Sequence, residues 1–272
     1  MNWKKIAVPA VVLVVLAGVA GGVMYIFRQP ALKPTTVNQN PTANLPINTI
    51  PVESRPFVTM APDSSGHYVT LTVDKMTDKV QTEYELVYNT SNNNEDGALG
   101  HFDFGSESQP AVRKILLGTQ SAGGAITFSE GVSAGSLTLS TDKVKLKEDF
   151  NFLHFDPKLA KDQDFPSTDG YFDVTIPAKS WKADTVVIVM KTFGLPAPVP
   201  AGKLVAGPYT FQAGNPLKTA VPVSVTLPAG QYQNLVLYTW GSGAWVKVAG
   251  AKVSGSSLSA NSTGTIFIVT NE

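Results

Sequence analysis

No cysteine occurs in the 272 residues. Its absence excludes disulfides, thiolate metal sites, a thiol nucleophile and acylation at a lipoprotein cysteine. Arginine is confined to positions 28, 55 and 113, and there are only three histidines. Lysine plus arginine balances aspartate plus glutamate at 21 each. There is no basic excess of the kind that draws a protein to a phosphate backbone, so nucleic acid is set aside as a partner. Long apolar runs are lacking too, with one exception, and that exception bears on the compartment.

The exception runs from Ile6 to Phe27 without a charge, preceded by Lys4 and Lys5 and followed by Arg28. At about 1.5 Å per residue such a helix measures about 33 Å, enough for a hydrocarbon core of about 30 Å. The lysine pair favours a cytoplasmic N-terminus with everything from residue 29 outside. A cleaved signal peptide is the alternative, with small residues at Ala17-Gly18-Val19-Ala20, but its apolar region is ordinarily about 7–15 residues. The expectation is a single-pass protein of the cell membrane, with residues 1–28 as cytoplasmic stub and anchor and residues 6–27 in the lipid bilayer. Without Lys4, Lys5 and Arg28 the remainder carries 18 basic and 21 acidic side chains, a net of −3.

Residues 29–56 carry prolines at 30, 34, 41, 46, 51 and 56 among Asn and Thr. Proline blocks regular pairing and favours extended chain, so this segment reads as a linker. At about 3.1 Å per residue it spans up to about 85 Å.

From Phe57 onward the pattern changes to period-two alternation. His67–Val73 sets Val69, Leu71 and Val73 on one side, and Thr82–Tyr88 does the same for Tyr84, Leu86 and Tyr88. Further strands are expected at 111–117, 124–128, 135–140, 150–155, 170–176 and 184–191, with turn residues such as Gly123-Gly124 and Ser167-Thr168-Asp169-Gly170 between them. One helical turn is expected near Pro157–Lys161. The Pro-rich stretch 196–206 then interrupts the pattern. Beyond it lie strands at 207–212, 221–227, 234–240, 244–249, 251–259 and 264–270. Short strands without helical spacers predict an all-β fold: two antiparallel, Ig-like β-sandwich modules, 57–195 and 207–272, joined by 196–206.

The second module carries Tyr209-Thr210-Phe211, then Pro222–Pro228, Tyr238-Thr239-Trp240, Trp245–Val248 and Gly264–Phe267. In these spaced aromatic and proline positions, residues 207–270 resemble a β-sandwich module of bacterial surface proteins that is similar to the ZU-type domain of ankyrins and netrin receptors. The usual ending of that module, His or Phe before Ser-Thr-Phe, reads Asn261-Ser262-Thr263-Gly264-Thr265 here. The resemblance implies scaffold or interaction work without catalytic residues.

Four patterns carry candidate chemistry. Gly131-Val132-Ser133-Ala134-Gly135 has the G-x-S-x-G form of a nucleophile elbow, with His154 as the only later histidine, but the residues after it alternate like a strand rather than opening a helix. His101-Phe102-Asp103 with His154 has the order of a facial iron triad, without the arginine that oxoglutarate-dependent members want after the second histidine. Asp156, Asp162, Asp164, Asp169 and Asp173 crowd one stretch, and Asp162, Asp164 and Asp169 are candidate calcium ligands, though their spacing matches no EF-hand. Trp240-Gly241-Ser242-Gly243-Ala244-Trp245 places two tryptophans across a tight turn. With Tyr238 and Lys247 on the same face, they form a candidate ligand-stacking platform. A cysteine-free exported sandwich has one other covalent option, a spontaneous Lys–Asn amide beside a carboxylate, which sequence alone does not locate.

The sequence therefore points to a membrane-anchored, extracytoplasmic, non-enzymatic β-sandwich protein that presents a binding or structural surface to an envelope protein or glycan. Apart from calcium, no cofactor is expected. The alternatives are a glycan- or wall-binding module built on Trp240 and Trp245, and an exported serine hydrolase built on Ser133 and His154.

Overall fold

Alternation of apolar and polar residues becomes alternation of burial in most strands of the computed structural model, which describes residues 45–91 and 94–272. The strands are β1 (Phe57–Pro62), β2 (Tyr68–Asp74), β3 (Gln81–Asn89), β4 (Glu95–Asp103), β5 (Ala111–Leu116), β6 (Gly118–Gln120), β7 (Ile126–Phe128), β8 (Ala134–Ser140) and β9 (Lys145–Phe155). They continue as β10 (Gln163–Pro166), β11 (Phe172–Ile176), β12 (Thr185–Lys191), β13 (Lys203–Ala213), β14 (Val221–Thr226), β15 (Leu235–Gly241), β16 (Ala244–Lys247), β17 (Lys252–Ser254), β18 (Ser257–Ser262) and β19 (Ile266–Asn271). The fold is all-β and every strand pairing is antiparallel. A 3-10 turn forms at Val52–Ser54, and no α-helix occurs among the described residues. Pro157–Lys161 forms a turn rather than helix.

One nine-stranded sheet, in the order β16-β15-β19-β13-β12-β9-β8-β3-β4, runs through the molecule. A three-stranded sheet, β1-β2-β5, covers part of one face. The first core forms there, joining Met60, Leu71 and Ile115 to Leu86, Phe102, Leu137, Phe150, Phe152 and Ile188. A five-stranded sheet, β10-β11-β14-β18-β17, covers part of the other face. Here Phe165, Phe172, Val174, Val223 and Leu258 meet Phe155, Val187, Val189, Phe211 and Phe267.

The two cores overlap at β9 and β12. In β12, Val186, Ile188 and Met190 enter the first core while Val187 and Val189 enter the second. This explains its unbroken apolar sequence: a strand buried on both faces has no reason to alternate.

Three expectations meet this architecture. Residues 196–206, expected to divide two modules, lie within one compact unit that extends from Asn44 to Glu272. Strands from both sides of that segment share both large sheets, through the pairs β12–β13 and β11–β14. The two sandwiches are fused through a common sheet, in which β13 pairs with β12 on one edge and β19 on the other.

Residues 45–56, expected to be free linker, are docked. Ile47 bridges to Lys145, and Asn48 Nδ2 donates to Lys147 O at 2.8 Å while Asn48 Oδ1 accepts from Lys147 N at 3.1 Å. Proline there prevents regular pairing but not side-chain and single-bridge contacts. The anchor and residues 29–44 lie outside the described residues, and no helix among those described is long and apolar enough to cross a membrane.

Candidate functional site

The tryptophan hairpin forms as its spacing requires. Trp240 pairs directly with Trp245 and Tyr238 with Lys247. The indoles meet edge-on, with centroids 5.3 Å apart at 71°. The four side chains do not share one fate, however. Tyr238 is buried in a third, small apolar cluster with Leu195, Val236 and Ile268, and its hydroxyl donates to Glu272 Oε1. Trp245 is half-buried against the same cluster and donates its Nε1–H to Ala197 O at 3.1 Å. The Pro-rich segment 195–204 thus covers part of the expected platform. Trp240 stays half-exposed and Lys247 exposed, and the space around Gly241 and Gly243 is open.

The aspartates do not converge. Asp162 Oδ1 accepts from Ala178 N at 2.9 Å, and Asp164 Oδ1 accepts from Thr175 Oγ1 at 2.8 Å. Asp173 sits close enough to Asp164 that burial, then that neighbouring carboxylate, push its carboxyl above the usual range. Among the described residues no three acidic or histidine side chains are placed to hold a metal. Of the expected calcium ligands Asp162, Asp164 and Asp169, Asp162 precedes β10 and bonds to the loop after β11, Asp164 lies within β10 and bonds to β11, and Asp169 faces elsewhere.

Ser133 and His154 are not joined by a hydrogen bond. His154 Nδ1 faces Asp184 Oδ1 at 3.3 Å on an exposed surface. The glycines of the G-x-S-x-G pattern have structural causes. Gly131 adopts φ +65° against Ser91, and a Cβ on Gly135 would strike Val87 O. His101 on β4 is registered through β3 and β8 with Lys145, nine residues from His154 on β9, so about 14 Å between strands adds to about 30 Å along them.

Asp169 belongs elsewhere, to a polar cavity of about 160 Å³ lined by Glu148, Asp149, Ser167, Thr168, Asp169 and Lys191. Lys191 Nζ lies 2.7 Å from Asp169 Oδ2, which also accepts the Tyr209 hydroxyl at 3.1 Å. Asp169 Oδ1 accepts Ser167 Oγ at 2.6 Å and the Tyr171 N–H at 3.1 Å. Burial alone would raise the Asp169 carboxyl, but the bonds from Lys191, Ser167 and Tyr171 outweigh it and hold it below the usual range. Burial, then the Asp169 charge, pushes the Tyr209 hydroxyl far up.

Glu148 is the unusual group. Burial raises its carboxyl to about 7 against the pull of Lys191 and Arg55, the latter 3.4 Å away. Neither Glu148 nor Lys191 was singled out from the sequence, yet a signal was present. Leu146, Glu148, Phe150 and Phe152 share one parity of β9, so Glu148 occupies a core-facing position.

A second surface appears at the opposite end of β9. The β6–β7 hairpin, registered Gly118↔Phe128, has no buried residue. At its base Phe128 stacks on His67 with centroids 3.8 Å apart, meets Tyr68 edge-on, and stays 37 % exposed. Lys114 Nζ caps the Tyr68 ring at 4.2 Å. Gly66, at φ +71°, brings this end against Val186 and Phe152, near the C-terminal end of β9.

In comparisons with known proteins, no family model and no curated protein matches the chain.

Proposed function

We propose that this is a non-catalytic, extracytoplasmic protein held to a membrane by residues 6–27, whose β-body presents a recognition surface to an envelope protein or glycan. The observation that carries the reading is the partly exposed aromatic cluster at one end of the β-body. Residues 45–56 dock beside Lys145 at the start of β9, and the β6–β7 hairpin with Phe128, His67 and Tyr68 stands at the far end of that strand. Ten residue steps at about 3.3 Å separate the two ends by about 33 Å. Exposed aromatic and cationic side chains on a rigid scaffold suit recognition of a protein or glycan surface. The resemblance of residues 207–270 to a ZU-type module points the same way, toward scaffold work.

Two measurements test this. External protease should reach the full chain in intact cells, and residues 44–272 should bind isolated envelope saturably. Phe128→Ala should weaken that binding at least about tenfold with an unchanged Tm, because a hot-spot aromatic is worth about 1.4 kcal/mol or more. Unchanged binding in the variant would rule out this surface, and cytoplasmic location would sink the whole reading.

A glycan-stacking role for Trp240 and Lys247 is the second reading, supported by the open space at that hairpin tip. Trp240→Ala, rather than Phe128→Ala, would then abolish retention.

A further inference from the structure

We propose that Lys191 and Asp169 form a spontaneous intramolecular amide, with Glu148 shuttling the proton, so that the two sheets around the second core are joined covalently. The inference is independent of the recognition surface. It starts from the division of labour around one carboxyl group. Asp169 Oδ2 faces the Lys191 amine at 2.7 Å and the Tyr209 hydroxyl at 3.1 Å, while Oδ1 is held by the Ser167 hydroxyl and the Tyr171 N–H. One oxygen is placed to leave and the other to remain as the amide carbonyl, with two donors to stabilise the charge that gathers on it during attack.

Glu148 lines the same cavity, and the charge of Lys191 acts directly on it. With its carboxyl at about 7 it is present in both protonation states near neutrality, as a proton shuttle requires. In the step, Glu148 takes a proton from the Lys191 ammonium. The free amine adds to Asp169 Cγ, forming the N–C bond and a tetrahedral centre. Glu148 returns its proton to Oδ2, the second nitrogen proton follows by the same route, and the bond from Cγ to Oδ2 then breaks to release water. The sum is ammonium plus carboxylate giving amide plus water, with no co-reactant.

The placement gives the bond a purpose. Lys191 ends β12 in the nine-stranded sheet, and Asp169 lies in the turn leading into β11 of the five-stranded sheet. A chain with no cysteine has no disulfide to make such a link. Lys191 and Asp169 retain 38 % and 26 % side-chain exposure. At that exposure an ion pair alone contributes little, and it would leave the covalent mass unchanged.

The test is a tryptic digest of the full chain after denaturation, read by mass spectrometry. With the amide present, cleavage after Lys191 is blocked, and residues 162–179 emerge joined to residues 183–203, lighter by one water. Lys191→Arg and Asp169→Ala should abolish this branched peptide. Glu148→Gln should slow its formation by about a hundredfold. Separate, unmodified peptides 162–179 and 183–191 from the wild-type chain would overturn the proposal, leaving an ordinary salt bridge. Equally fast branching in Glu148→Gln would overturn the role of Glu148.

Discussion

The two cores use the same central sheet differently. The first is closed by three strands and leaves a hairpin without buried residues, β6–β7, standing off its far end. The second is closed by five strands over a run of aromatic contacts, including Phe172 stacked on Tyr209 at 5.1 Å and tilted against Phe267 at 5.5 Å. The polar cavity of Glu148, Asp169 and Lys191 lies beside that run. The first region exposes its unusual groups, whereas the second tucks them against the sheet. Accessible aromatics favour contact with another molecule, while groups held in fixed mutual geometry favour chemistry or stabilisation within the chain.

The comparison is broken most forcefully in the cores themselves. Phe150→Ala opens the first and Phe211→Ala the second, each at a cost of about 3–5 kcal/mol. Because β9 and β12 serve both cores, each variant should lower a single cooperative thermal transition. Two separable transitions, each sensitive to one variant, would show that the shared sheet does not couple the halves.

Next in size is the pH response of the cavity. Glu148 titrates at about 7 in the folded chain against a usual 4.5. The folded state therefore binds this proton more tightly than the unfolded state does. Its stabilising contribution is complete below about 4.5 and is lost as pH rises through 7, amounting to about 3 kcal/mol. Denaturant unfolding across pH 4–9 should show that decline in the wild type, and Glu148→Gln should remove it.

A smaller effect distinguishes the docked N-terminal segment from either core. Asn48→Ala removes the bonds to Lys147 and should cost about 1–2 kcal/mol, felt locally. Hydrogen exchange should rise across residues 47–55 and stay unchanged in β13 and β14. Protection lost throughout would mean that the segment is part of the first core rather than a strap upon it.

The smallest contrast lies within the tryptophan pair. Trp245 spends its N–H on Ala197 O, so Trp245→Ala should destabilise by about 1 kcal/mol more than Trp240→Ala. Melting curves of the two variants decide the order. The reverse order would place Trp240, not Trp245, in the structural role.

Much of the strand content was legible because burial in an antiparallel sheet repeats every two residues. β2, β3, β11 and β14 show it plainly. β4 was harder to read, since Glu95-Asp96-Gly97 resembles a turn and the strand lies at a sheet edge with little to bury. The start of β9 was hidden for another reason: Lys147, Glu148 and Asp149 are charged, though hydrogen-bonded register continues through them. In the candidate sites, the Trp240–Trp245 pair was readable because a tight turn fixes register locally. The Glu148–Asp169–Lys191 cavity was not, because its members lie 21 and 22 residues apart in sequence and meet only when two sheets face each other.

By itself the sequence determined the β character, the absence of thiol chemistry, the tryptophan pairing and the apolar segment at 6–27, since each rests on composition or on neighbours a few residues apart. Only the tertiary structure decided that the strands on either side of residues 196–206 share their sheets, that residues 45–56 dock, and that Asp169 faces Lys191 instead of Asp162 and Asp164. Those outcomes depend on which strand edges meet across the fold, and a local pattern carries no record of a distant partner.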